Sequence, residues 1–212
     1  MNGWKKIYLL AYLLVLTAFT GCGTKIVIVQ KADGNSTIEM NLELGKVFEK
    51  VLDESTAALN EMSGKQKPDF FYADEIKKSL ANAGLKNVKV SSAERTKLNV
   101  AFTGKFEFIE GGTNSLNLKL NPESVKKFAS SLGSEFNSIM DLFMAPVITG
   151  EELSREDYME TLAAIYGKEL SDDLAKSTIE LTLESASGKK KNFPIPLVQF
   201  LMLNEEKNFS IE

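Results

Sequence analysis

The sequence predicts an α+β fold: an antiparallel sheet of hairpins packed against long amphipathic helices. Three observations carry that expectation. Runs such as TIEMNLE (37–43) and TIELTLE (178–184) alternate apolar and polar residues with the period of a half-buried strand. Asp33-Gly34-Asn35 and Gly111-Gly112 stand between runs of this kind, where a hairpin needs its turn. Longer segments between them carry apolar residues at spacings of three and four, the mark of a helix with one buried face.

Taken in order, Lys25–Gln30 and Thr37–Glu43 make the first hairpin, with Ile38, Met40 and Leu42 on its buried face. Gly45 gives way to a helical pattern through Asn60, bearing Val47, Val51, Leu52 and Leu59, and a polar break follows at 62–69. A helix from Ala73 carries Ile76, Leu80 and Ala83 and ends at Gly84, where a left-handed residue is wanted. Lys86–Val90 and Lys97–Phe102 resume the strand period, and Phe106–Ile109 with Ser115–Leu120 suggests another hairpin around Gly111–Asn114.

Asn121 and Pro122 open the clearest helix, in which Val125, Phe128, Leu132, Phe136, Ile139, Met140 and Phe143 recur until Pro146. Ser154 with Asp157 resembles a capping box for a helix bearing Met159, Leu162, Ala163 and Tyr166, closed by Gly167, and Ser171 reads as a further cap. Thr178–Glu184 is a strand, 185–191 a turn, and Asn192–Leu203 a strand or short apolar segment whose Pro194 and Pro196 place it at a sheet edge. The order hairpin, helices, strand occurs twice. Gly34 and Gly112 are 78 residues apart, and Gly84 and Gly167 are 83 apart, which suggests a ββααβ duplication with halves 25–103 and 104–212 inside one domain, 25–212.

Composition excludes several chemistries. The chain has 212 residues, no histidine and a single cysteine, so it contains no Ser-His-Asp triad, no Cys-His pair, no imidazole metal site and no internal disulfide. A net charge of −4 and a pI near 5.2 lack the concentrated positive field of a nucleic-acid surface or a polybasic membrane surface. Ser124–Lys127 and Ser187–Lys190 have the S-x-x-K spacing, but the abundance of Ser and Lys supplies both by chance. The acidic pairs Glu151-Glu152 and Asp172-Asp173 suit helix starts better than acid–base catalysis, and Glu205-Glu206 is a third adjacent pair. Lys189-Lys190-Lys191 reads as a solvated hairpin tip, with contact to anionic headgroups as the other reading in a membrane-hugging protein. No catalytic residue, cofactor or metal is expected, and the chain reads as a non-enzyme.

The informative segment is the first. Lys5-Lys6, thirteen residues from Ile7 to Phe19 without a charge, and then Thr20-Gly21-Cys22 have the layout of a secretory signal. The run is short for a permanent membrane span, which takes about 20 residues. Phe19-Thr20-Gly21-Cys22 resembles the bacterial lipobox, with Phe19 standing where Leu is usual. That resemblance implies cleavage between Gly21 and Cys22 and fatty acyl chains, such as palmitate, on the Cys22 thiol and new amine. Removal of residues 1–21 takes Lys5 and Lys6 with it, leaving 191 residues of net charge −6. Each buried CH₂ of the acyl chains contributes about 0.8 kcal/mol to membrane binding, so several chains form a stable anchor. Only Gly23 and Thr24 separate Cys22 from the first strand, which leaves the domain almost no tether. Gly23 in place of Asp implies an outer-membrane destination in a two-membrane cell, and the cell membrane otherwise, always on the extracytoplasmic side.

Cys22-Gly23, the stretch 25–46 (KIVIVQKADGNSTIEMNLELGK) and the helix after it also resemble, in their order of elements, the LppM-type bacterial lipoprotein domain over about a quarter of the chain. The resemblance implies an α+β envelope protein associated with lipid, and no site residue comes with it. Phe128, Phe136, Met140 and Phe143 load one helix face with flat and flexible apolar side chains, which suits either a filled core or a groove for an acyl chain. The sequence therefore leads to an envelope lipoprotein acting as an interaction or scaffold module. The second expectation is a binder of lipid or another hydrophobic ligand, and the partners are the membrane, a lipid or an envelope protein.

Overall fold

Ile26 and Ile28 alternate with Lys25, Val27 and Val29, so an extended chain here must bury one face. In the computed structural model, which describes residues 23–51, 53–54, 71, 73–123, 146, 149–150 and 152–212, that segment is β1 (Thr24–Gln30). It pairs antiparallel with β2 (Ser36–Glu43). The turn closes because Gly34 adopts a φ of +79°, a left-handed conformation that costs glycine little. Asp33 accepts the Asn35 backbone N–H at 3.0 Å and its side-chain amide at 2.8 Å. The backbone bond first, and the amide second, hold the Asp33 carboxyl below its ordinary range.

A second hairpin, β3 (Lys86–Glu94) and β4 (Lys97–Gly104), lies against β2, with Ile38 opposite Phe102, Met40 opposite Val100 and Leu42 opposite Leu98. β7 (Thr178–Glu184) and β8 (Lys190–Pro196) complete a six-stranded sheet of order β3-β4-β2-β1-β7-β8. A smaller sheet has the order β5-β6-β9, formed by Ile109–Gly111, Leu116–Leu120 and Lys207–Ile211. The α+β class is as the sequence predicts, and Pro194 and Pro196 sit on an edge strand where their missing donors cost nothing.

Three expectations need correction. The large sheet is mixed, because β1 and β7 run parallel with Ile26 opposite Leu181. A parallel neighbour cannot come from a tight turn, so local turn signals do not reveal it. Phe106–Phe108 is not strand. It forms a turn closed by Ile109 N–H donating to the Phe106 carbonyl, and its rings stack inward, Phe106 meeting Phe102 edge-on at 6.0 Å and Phe108 at 5.4 Å. Ser171 is not a cap. It lies inside a helix, buried, and its hydroxyl donates to the Met159 carbonyl at 2.9 Å.

The helices follow their predicted signals more closely. Helix α1 (Ala73–Asn82) buries Ile76 and Leu80 and is followed by Gly84 at φ +77°. At the start of α2 (Arg155–Tyr166), Ser154 accepts the Asp157 N–H at 3.1 Å and donates to its carboxylate at 2.7 Å. The buried residues of α2 are Tyr158 and Leu162, with Met159 and Tyr166 partly covered. Gly167, at φ +90°, separates it from α3 (Lys168–Lys176), and a short α4 (Leu197–Leu201) continues directly from β8. Helical residues 46–51 insert Phe48 into the core. Arg95 clamps them to the β3–β4 turn through Asp53 at 2.5 Å and Glu49 at 3.4 Å.

The core fills the space between the two sheets. Ile26, Ile28, Ile38 and Met40 from the large sheet meet Leu118 and Leu120 from the small one and Phe200 from α4, around a void of about 10 Å³. That is no more than the room of a single water molecule, so this part of the interior is closely packed.

Candidate functional site

β1 starts at one end of the large sheet, and that end organises the functional surfaces. Thr24 lies opposite Ile179, at the beginning of β7, and Thr178 lies opposite Pro196, at the end of β8. The chain entering at Gly23, the α3–β7 junction and the β8–α4 junction therefore share one end. The other end carries Gln30, Glu184 and the turn at 185–189. Six residue steps of about 3.3 Å separate the two ends, roughly 20 Å.

An open cleft of about 510 Å³ lies at the Thr24 end, between the C-terminus of α3, α4 and the start of β9. Arg155 from the first turn of α2, Lys176 from the last turn of α3 and Lys207 from β9 line it, with no acidic residue among the described lining residues. The floor is apolar, with Pro196, Val198, Met202 and Leu203. Leu197 N–H donates to the Ser177 carbonyl at 2.9 Å, which fixes the two junctions against each other. Next to the cleft is a smaller slot of about 120 Å³ among Leu120, Phe200, Leu203 and Phe209, sharing Gln199, Leu203 and Lys207 with it.

The electrostatics of the cleft are uneven. Lys207 is paired with Glu205, and that hydrogen bond holds the Glu205 carboxyl below its ordinary range. Arg155 and Lys176, both exposed, have no ion pair among the described residues. Behind them Tyr158 is buried, which pushes its phenol well above the ordinary value, and the neighbouring Tyr166 adds to the effect. Thr24 Oγ1 is also buried at this end, with no hydrogen-bond partner among the described residues.

The residues singled out from the sequence fall elsewhere. Gly21, Cys22 and the helix face of Phe128, Phe136, Met140 and Phe143 lie outside the described residues, as do Ser124 and Glu151. Ser187 sits in the exposed turn beside Ser185, with 3.0 Å between the hydroxyls, while Lys190 pairs with Glu184 at 3.0 Å. That lysine is thus engaged by a carboxylate instead of serving a nucleophile. Glu152 and Asp172 are exposed and Asp173 half-buried, so these carboxyls are not gathered in a cleft. Among the described residues no three metal-ligating side chains converge, and no helix is long and apolar enough to cross a membrane.

Sequence reasoning missed the cleft. Its three cations are more than twenty residues apart from one another and make no local motif, and β9, which brings Lys207, was not foreseen at all. The run Lys189–Lys191 drew attention because it is contiguous, yet it lies at the opposite end from Thr24. Comparisons with protein-family models, curated proteins and solved structures give no match.

Proposed function

We propose that this chain is a cell-envelope lipoprotein, a non-enzymatic interaction or scaffold module held close to the bilayer by acyl chains on Cys22. The observation that carries this reading is where the fold begins. β1 is hydrogen-bonded from Thr24 on one side and from Lys25 on the other, in the middle of a six-stranded sheet. Two residue steps from Thr24 place Cys22 at most about 7 Å away. An anchor on Cys22 therefore acts on the rigid core of the domain with no linker to absorb motion, and it sets which end of the domain meets the membrane.

The close-packed interior supports a module that works through its surface. A void of about 10 Å³ among Ile26, Ile38, Leu118 and Leu181 has no room for an acyl chain. The second reading, a binder of lipid or another hydrophobic ligand through Phe128, Phe136, Met140 and Phe143, concerns residues outside those described.

Intact-mass spectrometry of the full chain extracted from bacterial membranes tests the anchor. The expected species lacks residues 1–21 and carries a diacylglyceryl group on Cys22. Cys22→Ala should abolish both changes together. An unmodified chain retaining Met1 or Asn2 would contradict the reading.

A further inference from the structure

We infer that the cleft rimmed by Arg155, Lys176 and Lys207 is a docking surface for the anionic phospholipid headgroups of the bilayer that holds the chain. The inference rests on the anchor at Cys22, and three independent observations converge on it.

The first is position. The cleft opens where β7 begins and β8 ends, and these are the first and second neighbours of β1 on one side. With strands about 4.8 Å apart, its near wall lies roughly 10 Å sideways from Thr24. A bilayer gripping Cys22 through two residues is pressed against this end of the sheet and no other.

The second is charge. On a chain of net charge −4, the described lining residues include three cations, one of which, Lys207, is offset by Glu205. Arg155 and Lys176 meet no ion-pair partner among the described residues, whereas at the other end Lys190 is paired with Glu184 and Lys189 and Lys191 donate to the backbone oxygens of Glu212 and Ser210. A guanidinium and an ammonium on one rim suit phosphate oxygens, the first as a two-pronged donor and the second as a mobile point charge.

The third is the floor. Pro196, Val198, Met202 and Leu203 give the cleft an apolar base beneath its charged rim. That order of layers matches the boundary between headgroups and acyl chains, where long basic side chains reach the phosphates while apolar groups sit deeper. An acidic protein segment could satisfy the charges, but it would gain nothing from the cleft lying beside the anchor.

Hydrogen exchange of the full-length chain, reconstituted in vesicles, tests the proposal. One vesicle is phosphatidylcholine alone, and the other contains roughly one third phosphatidylglycerol, enough to impose a negative surface potential. Amides of Ser177–Thr178 and Val198–Leu203 should exchange about fivefold more slowly in the anionic vesicle, the factor that one basic side chain at an anionic surface is worth. The turn at 185–189 should exchange equally in both. Arg155→Gln with Lys176→Gln should erase the difference without altering the exchange of β1 and β2, which shows that the variant is folded, and high salt should erase it by screening. Equal exchange at the cleft in both vesicles, equal slowing at 185–189, or a difference that survives in the double variant would overturn the proposal. Whether Cys22 is acylated is read separately from the mass of the same sample, so failure of the anchor and failure of the docking surface are distinguishable.

Discussion

The two ends of the large sheet treat polar groups in opposite ways. At the far end, Gln30 and Ser36 are both buried, and they satisfy each other at 2.9 Å. The lysines there are spent internally: Lys190 on Glu184, Lys191 on the Ser210 carbonyl at 3.2 Å and Lys189 on the Glu212 carbonyl at 3.3 Å. At the near end Thr24 Oγ1 is buried without a partner among the described residues, and Arg155 and Lys176 face an open cleft. The far end also opens on a cleft, of about 550 Å³, but its lining lysines Lys189, Lys190 and Lys191 all have partners within the fold, whereas Arg155 and Lys176 at the near end have no ion pair among the described residues. A contiguous basic run is therefore a poor guide to a binding surface, because neighbours in sequence are easily paired off at a hairpin. Cations from three separate elements, converging on an apolar floor, are the better sign.

The comparison assumes that both ends hang on one core, and the largest effect tests that. Phe102, on β4 opposite Ile38 of β2, is fully buried against Phe106, so Phe102→Ala should cost about 3–5 kcal/mol in urea denaturation. Exchange protection should fall at both ends together, whereas a loss confined to one end would mean that the ends are separate units. A smaller pair of changes sharpens the contrast in sign. Gln30→Ala strands the Ser36 hydroxyl and should destabilise by about 1–3 kcal/mol, while Thr24→Val removes an unsatisfied hydroxyl at nearly constant shape and should leave the chain as stable or more so. Thermal melts of the two variants decide it, and destabilisation by Thr24→Val would show that the hydroxyl is used.

Tyr158 gives the near end a pH signature. Its folded-state value is raised above the unfolded value of about 10, so the stability it contributes is intact below pH 10 and is lost as pH rises further. The slope is at most about 1.4 kcal/mol per pH unit. Lys97, raised chiefly by its hydrogen bond to Glu94, and Lys119, raised chiefly by its bond to Glu110, act with the same sign from the exposed surface. Tyr158→Phe should therefore flatten the alkaline limb of a stability–pH curve without abolishing it. An unchanged limb would mean that the phenol is not desolvated.

Much of this architecture was legible because it is local. Alternation placed β2 and β7 to within a residue, Gly34 and Gly84 marked positive-φ positions, and Ser154 with Asp157 announced the start of α2. What the sequence hid is what connects distant segments. The parallel β1–β7 ladder, the role of Ser171 in tying α3 to α2, and β9 beside β6 all depend on partners that no window of residues contains. The cleft is hidden for the same reason, since its walls come from α2, α3, α4 and β9. The proposed address, by contrast, rests on consecutive residues ending at Cys22, which are read without any fold.

The central claim, that the Thr24 end faces the bilayer, has a direct measurement. If Cys22, the one native cysteine, is acylated as proposed, an introduced thiol is the sole labelling site. Gln199→Cys places a fluorophore at the cleft, and Lys190→Cys places one at the opposite end. In vesicles carrying nitroxide-labelled headgroups, the account predicts strong quenching at position 199 and little at position 190. Equal quenching at the two positions, or stronger quenching at 190, would contradict it.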